Sequence, residues 1–468
     1  MTFVFYDTET TGTNTTFDQI LQFGAIKTDD QLRELERFEI RCRVLPDIAV
    51  SPGAMRVTGV TVEQLTDPSL VSHFEMVRAI REKLEAWSPA VFVGHNSLGF
   101  DEHLLRQALY KTLHAPYLTN TNGNCRTDCL RMVQTVALCM PNALAIPING
   151  RGRQIFKLDQ LAPANGFAHE HAHDALGDVE ATIYLCGLIA DRAPRLWESF
   201  KRFAQKQAVM DHVLGEEVFA LTDFYYARPY SWMVTAVGLN PENRAEVLVF
   251  DLSRDPQDLM QLTDDELAST LQVRPRAVRG LRTNAAPIIH SYDEAPNRLR
   301  ETAPDLTTLR VRASVITADA GFRERLTAAY LAGREEYEEP VYVEEQIYSR
   351  FIDNSDQALL DQFHAAEWAE RPSVLAGIAD DRLRILGDRL VYFEAPQLMS
   401  DSTRQDHEVA IARRLMSSED TVPWLTLSQA ITEATDLLLN ASGEEASLLR
   451  AHLDRLRQQA DDASALLA

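Results

Sequence analysis

Phe3-Val4-Phe5-Tyr6-Asp7-Thr8-Glu9-Thr10-Thr11-Gly12 decides how the rest of the chain is read. Four aromatic or β-branched residues in a row predict a strand over Phe3–Tyr6, and Thr11-Gly12-Thr13-Asn14 predicts the turn beyond it. Residues two apart on a strand point to one face, so Asp7 and Glu9 present two carboxylates side by side. Adjacent like charges are unfavourable unless a cation lies between them, and a hard divalent cation prefers oxygen ligands. A polar strand end running into a turn reads equally well from these residues alone.

Outward from that strand, Ile20–Lys27 and Phe38–Val44 are β-rich runs that complete a meander. Phe74–Trp87 has helical periodicity, Val91–His95 reads as a short buried strand, and helices are expected over Asp101–Tyr110 and Asp128–Met140. A longer helix is expected over Asp174–Asp191, where Leu176, Val179, Ile183, Cys186 and Ala190 recur at three- and four-residue steps. Strands first, then helices alternating with a further strand, predict an α/β domain with a mixed sheet. Ala193-Pro194-Arg195 closes it. Short strands at Val218–Thr222, Trp232–Val237, Glu246–Phe250 and Ala286–His290 predict a small β-rich domain next. Amphipathic helices at Asn354–Trp368, His407–Met416, Leu427–Asn440 and Glu444–Ala463 follow. The expected division is 1–195, 196–340 and 341–468.

Two further motifs lie in the first part. Gly94-His95-Asn96-Ser97-Leu98-Gly99-Phe100-Asp101 carries a strand end through a Gly- and Asn-containing loop to an acid at a helix start, where Asp is also a common cap. In His173-Asp174-Ala175-Leu176-Gly177-Asp178, His173 and Asp178 converge if the histidine lies in the loop and the acid in the first turns of the helix. A histidine on a loop is placed to work on a water. A solvated His-rich loop is the plainer reading, since His169 and His171 are close by. A zinc site from those three histidines lacks a fourth ligand.

Taken in order, the acidic pair, the Asp after the Gly-His-Asn loop and the His-x4-Asp resemble the DEDDh 3′→5′ exonuclease superfamily. The likeness extends to the bacterial exodeoxyribonuclease I family through Pro52-Gly53-Ala54, Thr58-Gly59-Val60-Thr61, Ala164-Asn165-Gly166 and Ala172–Ala175. Later segments, Asn240-Pro241-Glu242-Asn243-Arg244 and Gln346-Ile347-Tyr348, are similar too. The resemblance implies an RNase H-like exonuclease domain, then an SH3-like β-rich domain and a C-terminal helical domain. It implies two Mg²⁺ ions, replaceable by Mn²⁺, held by Asp7, Glu9, Asp101 and Asp178, with His173 as general base. It also implies single-stranded DNA degraded from the 3′ end to 5′-mononucleotides, in repair or recombination, by a cytoplasmic monomer. A further implied partner is the acidic C-terminal tail of single-stranded DNA-binding protein. RNA 3′-end trimming by the same chemistry, and a non-catalytic nucleic-acid-binding scaffold, are the alternatives. The scaffold predicts loss of one of the five catalytic residues, and all five are present.

Candidate substrate contacts adjoin the motifs at Thr10, His95, Asn96 and Phe100. Others lie in Phe224–Trp232, where aromatics interleave with arginine; Arg228, Tyr230 and Trp232 are expected to meet phosphates and stack bases. A β-domain core and rim would use the same residues. Arg274, Arg276, Arg279 and Arg282 form a run without an acid, suited to a phosphate track or to a plain solvated face.

The net charge of −23 over 468 residues argues, taken whole, against a polyanionic partner. Its distribution changes that: residues 1–200 carry −6, 201–330 carry −2 and 331–468 carry −15. A local basic groove on an acidic molecule is therefore expected. No apolar run is long enough to cross a membrane, and the N-terminus lacks the basic region of a signal peptide. Five scattered cysteines, Cys42, Cys125, Cys129, Cys139 and Cys186, fit reduced thiols better than a disulfide framework.

Overall fold

The computed structural model describes residues 1–168, 174–334, 338–417 and 422–468. The opening strand is the centre of a five-stranded sheet. Its members are β1 (Phe3–Thr10), β2 (Ile20–Thr28), β3 (Glu34–Arg41), β4 (Val91–Gly94) and β5 (Cys125–Asp128), in the order β3-β2-β1-β4-β5. β1 runs antiparallel to β2 and parallel to β4, so the sheet is mixed as expected.

Alternation along β1 sends its side chains into two separate cores. Phe3 and Phe5 join Val133 and Val136 of α3 (Cys129–Cys139) and Val179 and Leu185 of α4 (Ala175–Arg192). Val4 and Tyr6 join Val77 and Ile80 of α1 (His73–Trp87) and Leu104 and Leu105 of α2 (Asp101–Lys111). Helices thus cover both faces of the sheet, which explains why β1 is buried along nearly its whole length.

The second sheet is antiparallel: β6 (Phe219–Tyr225), β7 (Arg228–Asn240), β8 (Asn243–Asp251), β9 (Val278–Arg282) and β10 (Ile288–Ser291), in the order β10-β6-β7-β8-β9. Phe219, Leu221 and Val234 on one face pack with Phe203, Val209 and Val213 of the helices that follow α4. The other face packs on the helices Leu306–Ala318 and Ala320–Ala332. Tyr226 and Ala227 at the β6–β7 turn both have positive φ, 51° and 61°, the backbone of a type I′ hairpin usually built from Asn-Gly.

The C-terminal region is helical, and it packs back onto the first sheet's layers. Leu360, Phe363, Leu383 and Leu386 meet Phe74 of α1 and Tyr110 of α2. Ala49 joins Leu427, Ala430 and Leu456 of the last two helices, while Glu433 accepts the Gly53 N–H at 2.9 Å. The helix Asp381–Glu394 was not among those expected, and the one expected at His407 begins at Asp401. The expected strand over Phe38–Val44 lies earlier, at Glu34–Arg41, in register with β2. All five cysteines are free thiols. Among the described residues, no helix is long and apolar enough to cross a membrane.

Candidate active site

The C-terminal end of β1 carries the acidic pair on the α4 side of the sheet. Asp178 lies in the first turn of α4, and Asp7, Glu9 and Asp178 each offer an oxygen within 4.8 Å of the others. Two devices set this approach. Gly24 stands opposite Asp7 in the β1–β2 ladder, and a Cβ there would come within 2.8 Å of the Leu176 nitrogen, so only glycine lets α4 begin this close to the strand. Asp174 caps α4, and its Oδ2 accepts from Arg41 at 2.7 Å and from Gln22 at 3.0 Å. His173 lies outside the described residues, as do His169 and His171, so the expected convergence of His173 on Asp178 is not part of this geometry.

Asp101 arrives from the opposite face. It opens α2, and its Oδ1 accepts from the Thr8 N–H at 3.1 Å and the Thr8 hydroxyl at 2.6 Å. Thr8 lies between the acidic pair and, by alternation, points the other way; this side chain was overlooked in the sequence although its position between Asp7 and Glu9 was the signal. Asp128, at the end of β5, was overlooked as well. Its carboxylate accepts from the N–H groups of Asn96 at 2.8 Å and Leu98 at 3.0 Å, which shapes the loop leading to Asp101.

The electrostatics of this cluster are those of buried carboxylates crowded together. Burial, then the charges of Asp101, Asp178 and Glu9, holds the Asp7 carboxyl well above the usual carboxylate range. Burial, then Asp178, Asp101 and Asp174, pushes Glu9 up to about 8, with Arg41 opposing. Burial pushes Asp101 up to about 7 against the hydrogen bonds from Thr8. An all-oxygen donor set that resists carrying its own charge fits a hard divalent cation. Asp7, Glu9 and Asp178 are the residues that could hold one, with Asp101 adjoining.

The structure separates the expected substrate contacts into two groups. Thr10 is buried and donates its hydroxyl to the Gly12 carbonyl at 2.7 Å. The His95 ring meets the Phe156 carbonyl at 2.8 Å, and Phe100 packs against the α1–α2 core. These three side chains serve the fold. Asn96 is exposed at a left-handed φ of 69°. Arg228 and Tyr230 are exposed near the hairpin tip, and Tyr230 stacks toward Trp232, whose ring lies 3.7 Å beneath the Arg279 guanidinium. Between this sheet and α2–α3 lies a cavity of about 390 Å³ lined by His103, Arg106, Arg126, Arg131 and Arg282, with Glu102 and Asp223 as its acids. It adjoins Asp101 through Leu98 and Glu102. Its four arginines outnumber its two acids, though Arg106 and Arg126 are both paired with Glu102.

Comparison with known proteins agrees with this geometry. An exonuclease family, of the RNase T type, matches residues 4–186. Exodeoxyribonuclease I of Escherichia coli K12 is 28% identical over 405 residues, 82% of this chain and 84% of that protein. The chain is an exodeoxyribonuclease I homologue. Exodeoxyribonuclease I of Haemophilus influenzae is 27% identical over 86% of this chain and 88% of its own. In fold, this exonuclease superposes on E. coli exonuclease I in complex with a dA16 oligonucleotide, with a TM-score of 0.84 at 22% identity over 99% of both chains. Exonuclease I from Methylocaldum szegediense gives a TM-score of 0.84 at 24% identity, again over 99% of both. The likeness therefore spans both sheets and the helical region.

Proposed function

We propose that this exonuclease removes 5′-mononucleotides from the 3′ end of single-stranded DNA. The observation that carries the reading is the Asp7–Glu9–Asp178 cluster, with Asp101 beside it, on the same domain as an arginine-lined cavity whose wall includes Glu102, the residue after Asp101. Asp7, Glu9, Asp101 and Asp178 would hold two Mg²⁺ ions, or Mn²⁺ in their place. Bound there, such ions stabilise both the attacking and the leaving oxygen of a phosphodiester.

The chain's own residues do the rest. His173, one residue before the Asp174 cap, takes the proton from the attacking water; an imidazole with an ordinary pKa near 6.5 suits that task. Arg282, exposed in the lining of that cavity, meets the phosphates that trail from the reacting end. Tyr230, Trp232 and Arg228 offer ring faces and charge to unpaired bases, a surface that a closed duplex cannot use. Relatives support the substrate: E. coli exonuclease I forms complexes with dA16 and dT13 oligonucleotides. A structure of single-stranded DNA-binding protein with exonuclease I supports that protein as a partner, and the resemblance implies its acidic tail as the part that binds. The reading includes the division at 195/196 and 340/341, a monomer, a cytoplasmic setting suited to free thiols, and a role in repair or recombination.

Incubation with single-stranded DNA, duplex DNA and RNA, with and without EDTA, tests it. The expected result is stepwise loss of 3′ nucleotides from single-stranded DNA alone, abolished by EDTA. Preferential trimming of RNA, or turnover that survives EDTA, overturns it.

A further inference from the structure

The acid that follows Asp101 has no part in the chemistry above. Glu102 is 2% exposed, yet its carboxylate is the most heavily bonded near the site. Oε2 accepts from the Tyr6 hydroxyl at 3.1 Å. The Thr119 hydroxyl lies 2.7 and 2.9 Å from its two oxygens. Oε1 accepts from Arg106 at 2.8 Å and from Arg126 at 2.6 Å. A buried ion pair adds little net stability over an apolar contact of the same volume, so stability is a poor reason for placing a charge here.

Its neighbours suggest a better one. Tyr6 precedes Asp7 on β1, and Glu102 follows Asp101 on α2. The Tyr6–Glu102 hydrogen bond therefore joins the two backbones one residue away from each carboxylate. From the other side, Arg126 reaches past Glu102 to donate to the Asn284 carbonyl at 3.2 Å, in the β9–β10 loop. Arg126 is 8% exposed, and its Nε makes no hydrogen bond, so this guanidinium is held by Glu102 and the loop.

We propose that Glu102 is a positioning residue that fixes the separation of Asp7 from Asp101 and ties it, through Arg126, to the docking of the second sheet. The inference rests on the reading that those two acids hold metal. Groups that hydrogen-bond a metal ligand commonly set affinity by about 10–100-fold; Glu102 acts through the chain neighbours of the ligands, so its effect belongs at the lower end of that range.

Mn²⁺ binding to the full-length protein, followed by titration calorimetry without nucleic acid, tests this. Tyr6→Phe and Glu102→Gln are each expected to weaken Mn²⁺ binding about tenfold. Arg126→Lys keeps the charge but loses the reach to Asn284 and is expected to weaken it less. Arg131→Lys, which disturbs the same loop without touching Glu102, is expected to leave it unchanged. Should Glu102→Gln fail to fold, Tyr6→Phe carries the test, because Thr119 still satisfies the carboxylate. Unchanged Mn²⁺ affinity in Tyr6→Phe beside a wild type that binds normally overturns this inference alone. A wild type that binds no Mn²⁺ overturns the metal reading and this inference with it.

Discussion

Gly24 lies directly opposite Asp7 in the β1–β2 ladder, and the first turn of α4 rests on it. The atoms that a Cβ would meet are backbone, the Leu176 nitrogen at 2.8 Å and the Ala175 carbonyl carbon at 2.9 Å, so no side-chain rotation can make room. Gly24→Ala is expected to cost about 1–3 kcal/mol, as overpacking does elsewhere, and to move Asp178 away from Asp7. Urea denaturation reads the first effect and Mn²⁺ titration the second; a variant with wild-type values in both would refute the close-approach argument.

The crowded acids make a second prediction, with a definite sign. Glu9 and Asp101 have folded-state values raised to about 8 and about 7. Between the ordinary carboxylate range and those values the native state binds more protons than the unfolded one, so stability falls as pH rises. The metal-free protein is therefore expected to melt at progressively lower temperature from about pH 5 to about pH 8. Mg²⁺ should restore the loss most strongly at the upper end, because binding displaces those protons. Melting curves in EDTA and in Mg²⁺ across this range decide it. A metal-free protein equally stable at both ends contradicts the picture.

Asp7→Asn separates folding from chemistry. It removes one charge from a group of four acids, so the variant should melt at or above the wild-type temperature in EDTA, while nucleotide release drops below detection. His173→Ala should also fold and should lose about 10²–10⁴-fold in rate, the usual contribution of a general base. Near-normal turnover in either purified variant removes that residue from the mechanism.

Tyr230→Ala probes the exposed row beside the hairpin. Loss of one stacked base is worth about 1–3 kcal/mol, which should appear as a raised KM for a long single strand with kcat unchanged. The KM of a trinucleotide, which offers fewer bases to the row, should rise less. A fall in kcat with KM unmoved would place Tyr230 outside the strand's path.

Much of this was legible in order of residues. The i, i+2 rule placed Asp7 and Glu9 on one face, and the apolar steps from Leu176 to Ala190 located the helix that brings Asp178 to them. Other parts were hidden for physical reasons. β5 is only Cys125-Arg126-Thr127-Asp128, without alternation, and it becomes a strand by pairing with β4. Asp101 looked like a plain helix cap because its partner, Thr8, is 93 residues away. His95 looked available to substrate because nothing in its own loop reveals the Phe156 carbonyl that its ring meets. In the helix Asp381–Glu394, Gly387 interrupts the apolar stripe, and the Leu375 side chain occupies the place a Cβ would take.

The way the two sheets are joined bears on how freely sequences of this kind can drift. Arg126 and Arg131 reach across to the carbonyls of Asn284, Ala285 and Ala286, not to side chains. A grip on main-chain oxygens is indifferent to which amino acids supply them. The loop can thus change its letters without loosening the joint, but an inserted or deleted residue would carry those oxygens out of reach. Among homologues that keep both arginines, the length of this loop should be fixed while its composition wanders.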